Sequence, residues 1–392
     1  MFSILLALIY ISFISLGLPD AVLGAAWPVM HQELCVPVSA MGAISLTISS
    51  ATVVSSLLTD TLTRRFGTGR ITAVSVAVTA LGILGFSFSR ELWQILLLAV
   101  PYGLGAGCVD ASLNHYVAVH YASRHMSWLH CMWGIGAFTG PYIMGFALTK
   151  GFTWNSGYLA VGIAQAVLAC VLFLTLPVWK IHKRDASSSQ KRKPVSLKAV
   201  FRIPGALHVL IGFFCYCALE QTAGQWASSY FVLHNGLEES FAASLASVFY
   251  IGITLGRLLG GFLSLRISNR GMIRIGEGIL FAGIAVLIFP VGLWGSIAGF
   301  ALIGLGCAPI YPCVTHSTPD NFGEENSQAI IGVQMAFAYL GILIMPPLYG
   351  LLSQYIGVQI LPVYLLILGG IMLWNLEKQN YICCPRSIKI EK

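Results

Sequence analysis

Apolar residues in this chain follow neither the two-residue alternation of a half-buried strand nor the single stripe of a surface helix; they come in long unbroken blocks. Leu34 to Thr59, Ile71 to Ser89, Met126 to Thr149 and Gly151 to Trp179 contain no Asp, Glu, Lys or Arg. Gly278 to Pro319 and Ser327 to Leu376 are longer still, and turn residues near Pro290 to Gly295 and Tyr355 to Gly357 split each in two. About 20 mostly apolar residues cross a bilayer as a helix. Cut on that length, the chain gives twelve spans near residues 2–30, 37–59, 71–89, 92–118, 127–149, 155–178, 206–230, 241–265, 273–290, 295–317, 327–351 and 357–376.

Helices are the expected spanning element. An open sheet edge leaves its backbone unsatisfied in lipid, and the blocks are too long for barrel strands. Composition agrees: 57% of the 392 residues are hydrophobic and 9% charged, with a mean hydropathy of +0.80, against roughly 25% charged in a soluble domain. No basic segment with a small-residue cleavage site precedes Asp20, so span one is expected to be retained. The fold class is therefore an all-α membrane protein.

Of the 22 Lys and Arg, all but Arg90, Lys150 and Arg257 fall in loops and tails on one side of this arrangement. The positive-inside rule makes that side cytoplasmic, with both termini on it. A bacterial inner membrane is the expected location. The net charge of +7 is dispersed among membrane-flanking loops, which points to lipid headgroups and away from nucleic acid. Cys108, Cys131, Cys170, Cys215, Cys217, Cys307 and Cys313 fall inside apolar blocks and read as small packing residues. Cys383 and Cys384 are expected to be free thiols, lipidation being the alternative.

The long polar stretch "KIHKRDASSSQKRKPVSLKAVFR" follows span six and divides the chain: a six-helix bundle over 1–179, a basic cytoplasmic linker over 180–205, a second bundle over 206–376 and a cytoplasmic tail over 377–392. The two parts resemble each other. "SSLLTDTLTRRFGTGR" from Ser55 lies over "GRLLGGFLSLRISNRG" from Gly256, pairing Leu57 with Leu258, Leu58 with Leu259 and Arg65 with Arg266. The same offset pairs the "GLG" at Gly103 with that at Gly304 and Asp110 with Tyr311, and an offset one shorter pairs Asp20 with Glu220. Two pseudo-symmetric six-helix bundles are expected.

Twelve spans in two parallel repeats around a basic linker resemble the major facilitator superfamily, in which substrate binds at the midplane between the halves. That family typically shows Gly-x-x-x-Asp-Arg-x-Gly-Arg after span two. Here Arg65, Gly67 and Arg70 match its basic and glycine positions, whereas Asp60 and Arg64 stand where Gly and Asp are typical. The resemblance implies a gating role for Arg65, Gly67 and Arg70; Arg257 of "GRLLGG" is expected to brace the inner gate or to reach for the interface. "GLPDAVLGAAWP", "GLGAGCVDASLN" and "LHCMWGIGAFTGP" are similar to the fucose-permease-like branch, whose members carry a functional acid in span one and another in span four. By position these are Asp20 and Asp110, the second being Glu in the fucose permease itself. "GAFTGPYIMG", with Gly136, Gly140 and Pro141, is similar to a motif of antiporters in the superfamily.

Ionisable groups inside spans are costly and by default face the bundle interior and work there. Asp20, Asp110 and Glu220 are the candidate proton-coupling acids, because burial of a carboxylate in an apolar bundle favours its protonated form. The plainer reading of each is a structural hydrogen bond between spans, or, for Glu220, a side chain reaching toward the interface. Carboxylates and amides hydrogen-bond hydroxyls, and indole faces stack on the C–H faces of a sugar ring. Asp20, Trp27, Asp110, Asn114, Gln221, Gln225, Trp226 and Tyr311 are therefore the candidate substrate-binding residues. Trp128, Trp133, Tyr250 and Tyr339 read as packing or interface aromatics, as do His115, His130 and His316 as packing histidines. Asp60 and Glu277 are expected at the inner surface.

No H-E-x-x-H, C-x-x-C or nucleophile–base constellation is present, so neither a metal, an organic cofactor nor an enzymatic activity is expected. The expected function is a secondary transporter, a monomer in membrane lipid, importing a sugar-like solute such as a monosaccharide by proton symport and alternating access. Sodium as the coupling ion, and an exporter whose Asp20 and Glu220 pair with a cationic compound, are the alternatives.

Overall fold

A computed structural model describes residues 4–121, 123–180, 200–264, 266–289 and 292–383. Among these the chain is helical throughout, with no strand. Twelve helices are long and apolar enough to cross a membrane. Spans one to six are Ile4–Glu33, Ala40–Thr59, Thr68–Phe88, Leu92–Asn114, Trp128–Thr149 and Trp154–Leu174. Spans seven to twelve are Ala206–Leu233, Glu239–Leu263, Asn269–Ile288, Gly292–His316, Ile330–Ile356 and Val358–Cys383. Large apolar side chains such as Leu174, Trp294 and Phe88 remain exposed on the outer faces of these helices, as residues that contact lipid must.

Helices run past the apolar blocks where polar residues find partners. Span twelve was expected to stop at residue 376, but the helix continues to Cys383. There Glu377 receives a two-pronged bond from Arg274 of span nine, at 2.6 and 2.8 Å, so the charged turn is held as helix. The helix of span two likewise continues through Arg65 to Phe66 and ends where Gly67 takes a φ of 86°, a conformation that favours glycine. Most of the linker and the segment 384–392 of the tail, including Cys384, lie outside the described residues.

Span one is two helices, Ile4–Asp20 and Val22–Glu33, and the break has an identifiable cause. Pro19 has no N–H, so the carbonyl of Ser15, four residues back, loses its helical donor. Gln165 of span six supplies the replacement, its Nε2 donating to the Ser15 oxygen at 2.7 Å. The lower segment packs on spans five and six, while the upper one lies mainly against span seven. Asp20 is the residue at the break.

Spans one to six pack among themselves, as do spans seven to twelve, and the two sets meet along spans one, two, five, seven, eight and eleven. The end of the molecule remote from the termini is tied shut across this seam. Gln32 donates to Glu239 at 3.3 Å, Ser39 to Gln354, and Ser228 to the Ala25 carbonyl at 3.2 Å. Deeper in, Gln225 donates to Ser45.

Candidate substrate cavity

Below that closed end lies a cavity of about 280 Å³. Its walls come from spans one, two, four and five on one side and seven, eight, ten and eleven on the other; spans three, six, nine and twelve stand outside it. The ionisable side chains that the sequence places inside apolar blocks gather here: Asp20, Asp110, Glu220 and Arg257 all line it.

Asp20 projects from the break in span one. Its Oδ2 accepts from the Trp133 indole N–H at 2.8 Å, and its Oδ1 from the Tyr102 hydroxyl at 3.3 Å. Asp110 sits on span four, where Asn114 one turn on donates to its Oδ1 at 2.9 Å and Tyr339 of span eleven to its Oδ2 at 3.5 Å. Among the described residues each carboxylate is thus held by neutral donors only. Glu220 is different: Arg257 of span eight approaches its Oε1 at 3.4 Å, both side chains are largely buried, and Tyr216 donates to its other oxygen. The Arg257 guanidinium also lies over the Trp133 ring, 5.2 Å from its centre, within cation–π range.

Of the expected substrate-binding residues, Asp20, Asp110, Gln221, Gln225 and Tyr311 line the cavity. Gln221 makes no hydrogen bond with the described residues, so its amide is free for a solute, whereas Gln225 is engaged with Ser45. Tyr311 stands beside His130, ring centres 6.0 Å apart, and its hydroxyl meets the Met335 sulfur at 3.3 Å. Asn114 serves Asp110 and is not part of the wall.

Three expectations are corrected. Trp27 and Trp226 do not face the solute: they are 0% and 1% exposed, and their N–H groups are spent on the carbonyls of Val38 and Pro346. Arg257 does not stand with the span-two loop, where Arg65 and Arg70 are exposed and Arg65 lies over Phe66. It is drawn into the cavity by Glu220, which for the same reason does not reach for the interface. Glu277 is not at a surface either. It is 2% exposed in span nine, and neither carboxylate oxygen has a hydrogen-bond partner among the described residues. The side chains of Asp60 and His115 lie outside the described residues.

Trp133 and Tyr339, which with Tyr102 complete the acids' shells, read from the sequence only as packing or interface aromatics, and Tyr102 carries no signal there. Trp133 is removed from Asp20 by 113 positions and Tyr339 from Asp110 by 229. The repeat offset that pairs Asp110 with Tyr311 brought one aromatic residue to the cavity, though not one that bonds an acid. Among the described residues no His, Cys, Asp and Glu cluster could hold a metal. The cysteines there are free thiols.

A membrane-spanning bundle whose cavity lies between two sets of six helices is the architecture of a solute transporter, and comparison with known proteins places it. The family model of the Major Facilitator Superfamily matches residues 9–298 and 209–378. The chain belongs to that superfamily and is a transporter of a small solute, not an enzyme. Among curated relatives, the glucose/mannose transporter GlcP of Bacillus subtilis is 23% identical over 61% of this chain and 60% of its own. The sodium-dependent glucose transporter 1 of Homo sapiens is 24% identical over 72% of this chain and 62% of its own. Among solved structures, the nucleoside transporter NupG superposes with a TM-score of 0.77 at 14% identity, covering 96% of this chain and 98% of that one. The fucose:proton symporter FucP of E. coli superposes at 0.64 with 14% identity, covering 96% and 98%. These likenesses establish the fold.

Proposed function

We propose that the chain imports a monosaccharide together with protons by alternating access, with Asp20 as the coupling acid. The observation that carries this reading is the pair Asp20 and Asp110, two carboxylates in one small cavity held only by neutral donors. With no ion pair to either acid among the described residues, protons are the simplest means of neutralising them away from water. A volume of about 280 Å³ falls just below the roughly 300–1,000 Å³ usual for ligand pockets, which suits a solute of sugar size. Gln221 and the aromatic wall of Trp133 and Tyr311 offer it a hydroxyl partner and apolar faces. Glucose in the names of two relatives and fucose in that of a structural neighbour support the same class. Pairing of Glu220 with Arg257 inside the chain removes one of the two acids a cationic export substrate would use.

In this reading one chain suffices, since it carries all the walls of the cavity. Both termini face the cytoplasm of a bacterial inner membrane, the closed end faces outward, and uptake rises as the outer medium is acidified. In proteoliposomes, Asp20→Asn is expected to reduce proton-driven accumulation of the transported monosaccharide by about tenfold or more, ~1.4 kcal/mol, while sugar exchange without a gradient persists. Unimpaired accumulation by that variant overturns Asp20 as the coupling acid. Accumulation that follows a sodium gradient and ignores protons replaces the coupling ion, as the name of the human relative suggests.

A further inference from the structure

Trp133 does more than wall the cavity. Its N–H holds Asp20 of span one at 2.8 Å, and its ring face carries Arg257 of span eight, which in turn holds Glu220 of span seven. One rigid indole on span five therefore touches the carboxylate of the first six-helix set and the ion pair of the second. The backbone around it is closely confined. A Cβ added at Gly17 of span one would lie 2.1 Å from the Trp133 carbonyl oxygen, and one at Gly134 would lie 2.4 Å from the Thr254 hydroxyl of span eight. Only glycine lets three helices approach this closely, so the backbone that carries the ring is fixed while the ring itself borders the cavity.

We propose that Trp133 is a positioning residue that transmits the occupancy of Asp20 to the Glu220–Arg257 pair across the seam between the two helix sets. A proton arriving on Oδ2 competes with the indole N–H for that oxygen and turns a charge-assisted bond into a weaker neutral one. The ring is then released to reorient, and Arg257 loses the flat surface on which it rests. Proton binding in one set thereby loosens a contact with the other, the event that alternating access requires. The inference rests on the reading of Asp20 as the proton acceptor. The groups facing this junction are Tyr102 and Asp110 from span four, His130 from span five, Glu220 from span seven, and Tyr250 and Arg257 from span eight. Of these, Glu220–Arg257 is the ion pair that Trp133 touches.

The test uses the purified full-length protein without solute, with its melting temperature measured across pH 5 to 8. Asp20→Asn, Glu220→Gln and their combination form a cycle, run once with Trp133 present and once with Trp133→Phe, which keeps a ring for Arg257 but has no N–H. With Trp133 present, the two substitutions are expected to be non-additive, by a shift of more than about 2 °C in melting temperature, and the non-additivity is expected to vary with pH. With Trp133→Phe the effects should add at every pH. Persistence of the same pH-dependent coupling overturns the proposal, as does additivity with Trp133 present. Arg257→Lys is the second variant: it keeps a cation for Glu220 but lacks the flat guanidinium, and should diminish the coupling too. If Asp20→Asn leaves the pH profile of the wild-type protein unaltered, both the proton-acceptor reading and this inference fail. A pH profile that responds to Asp20→Asn but not to Trp133→Phe overturns the inference alone.

Discussion

The indoles show how much one side chain's surroundings decide. Trp226 follows Gln225, and Trp27 lies one turn beyond Leu23, both of which face the cavity, yet both rings are packed away and their N–H groups satisfied by backbone carbonyls. Trp133, by sequence an ordinary packing aromatic, holds the central carboxylate. Trp27→Phe should therefore lower stability by about 1–3 kcal/mol, from an orphaned Val38 carbonyl and a void, while the affinity for sugar measured by calorimetry is unchanged. A loss of affinity without a loss of stability would return Trp27 to the binding site. The acids were legible because a charge in an apolar block has few other uses. Their partners were not, because in a helix apolar on all sides nothing in the sequence says which face turns inward.

At the scale of elements, the twelve spans were legible with their approximate ends, since length and apolarity alone set a membrane helix. The extra turns of span twelve were not, because the Arg274–Glu377 pair that supports them joins residues 103 positions apart. Nor was the division of span one, which depends on Pro19 and on a distant glutamine together. Gln165→Leu removes the donor from the Ser15 carbonyl and leaves it buried without a partner. The expected cost is about 1–3 kcal/mol of stability, read as a lower melting temperature, and Gln165→Glu should not restore it, having no N–H to give when ionised. A Gln165→Leu protein as stable as the parent would show that water or a backbone shift replaces the bond.

Taken as a whole molecule, the contacts described across the remote end leave that face closed in this structure. Cys35, an exposed thiol in the turn after span one, marks the same face. With the proposed orientation, a membrane-impermeant maleimide added to intact cells should label Cys35, and Cys35→Ser should abolish that signal. Labelling of Cys35 only after the cells are opened would invert the topology drawn from the basic loops. Internal resemblance in the sequence anticipated two groups of helices, but could not say that spans three, six, nine and twelve stay clear of the cavity.

The division of span one has a mechanical consequence. Its upper helix is fastened to span seven through Ala25 and Ser228, its lower helix to span five, and Gln165 fixes the last carbonyl turn before the joint. The acid that accepts the proton in the proposed cycle is therefore mounted on the pivot of a lever whose two arms rest on opposite partners. A change at the Asp20 carboxylate acts on the angle between the two arms, and through it on the seating of the upper helix against span seven.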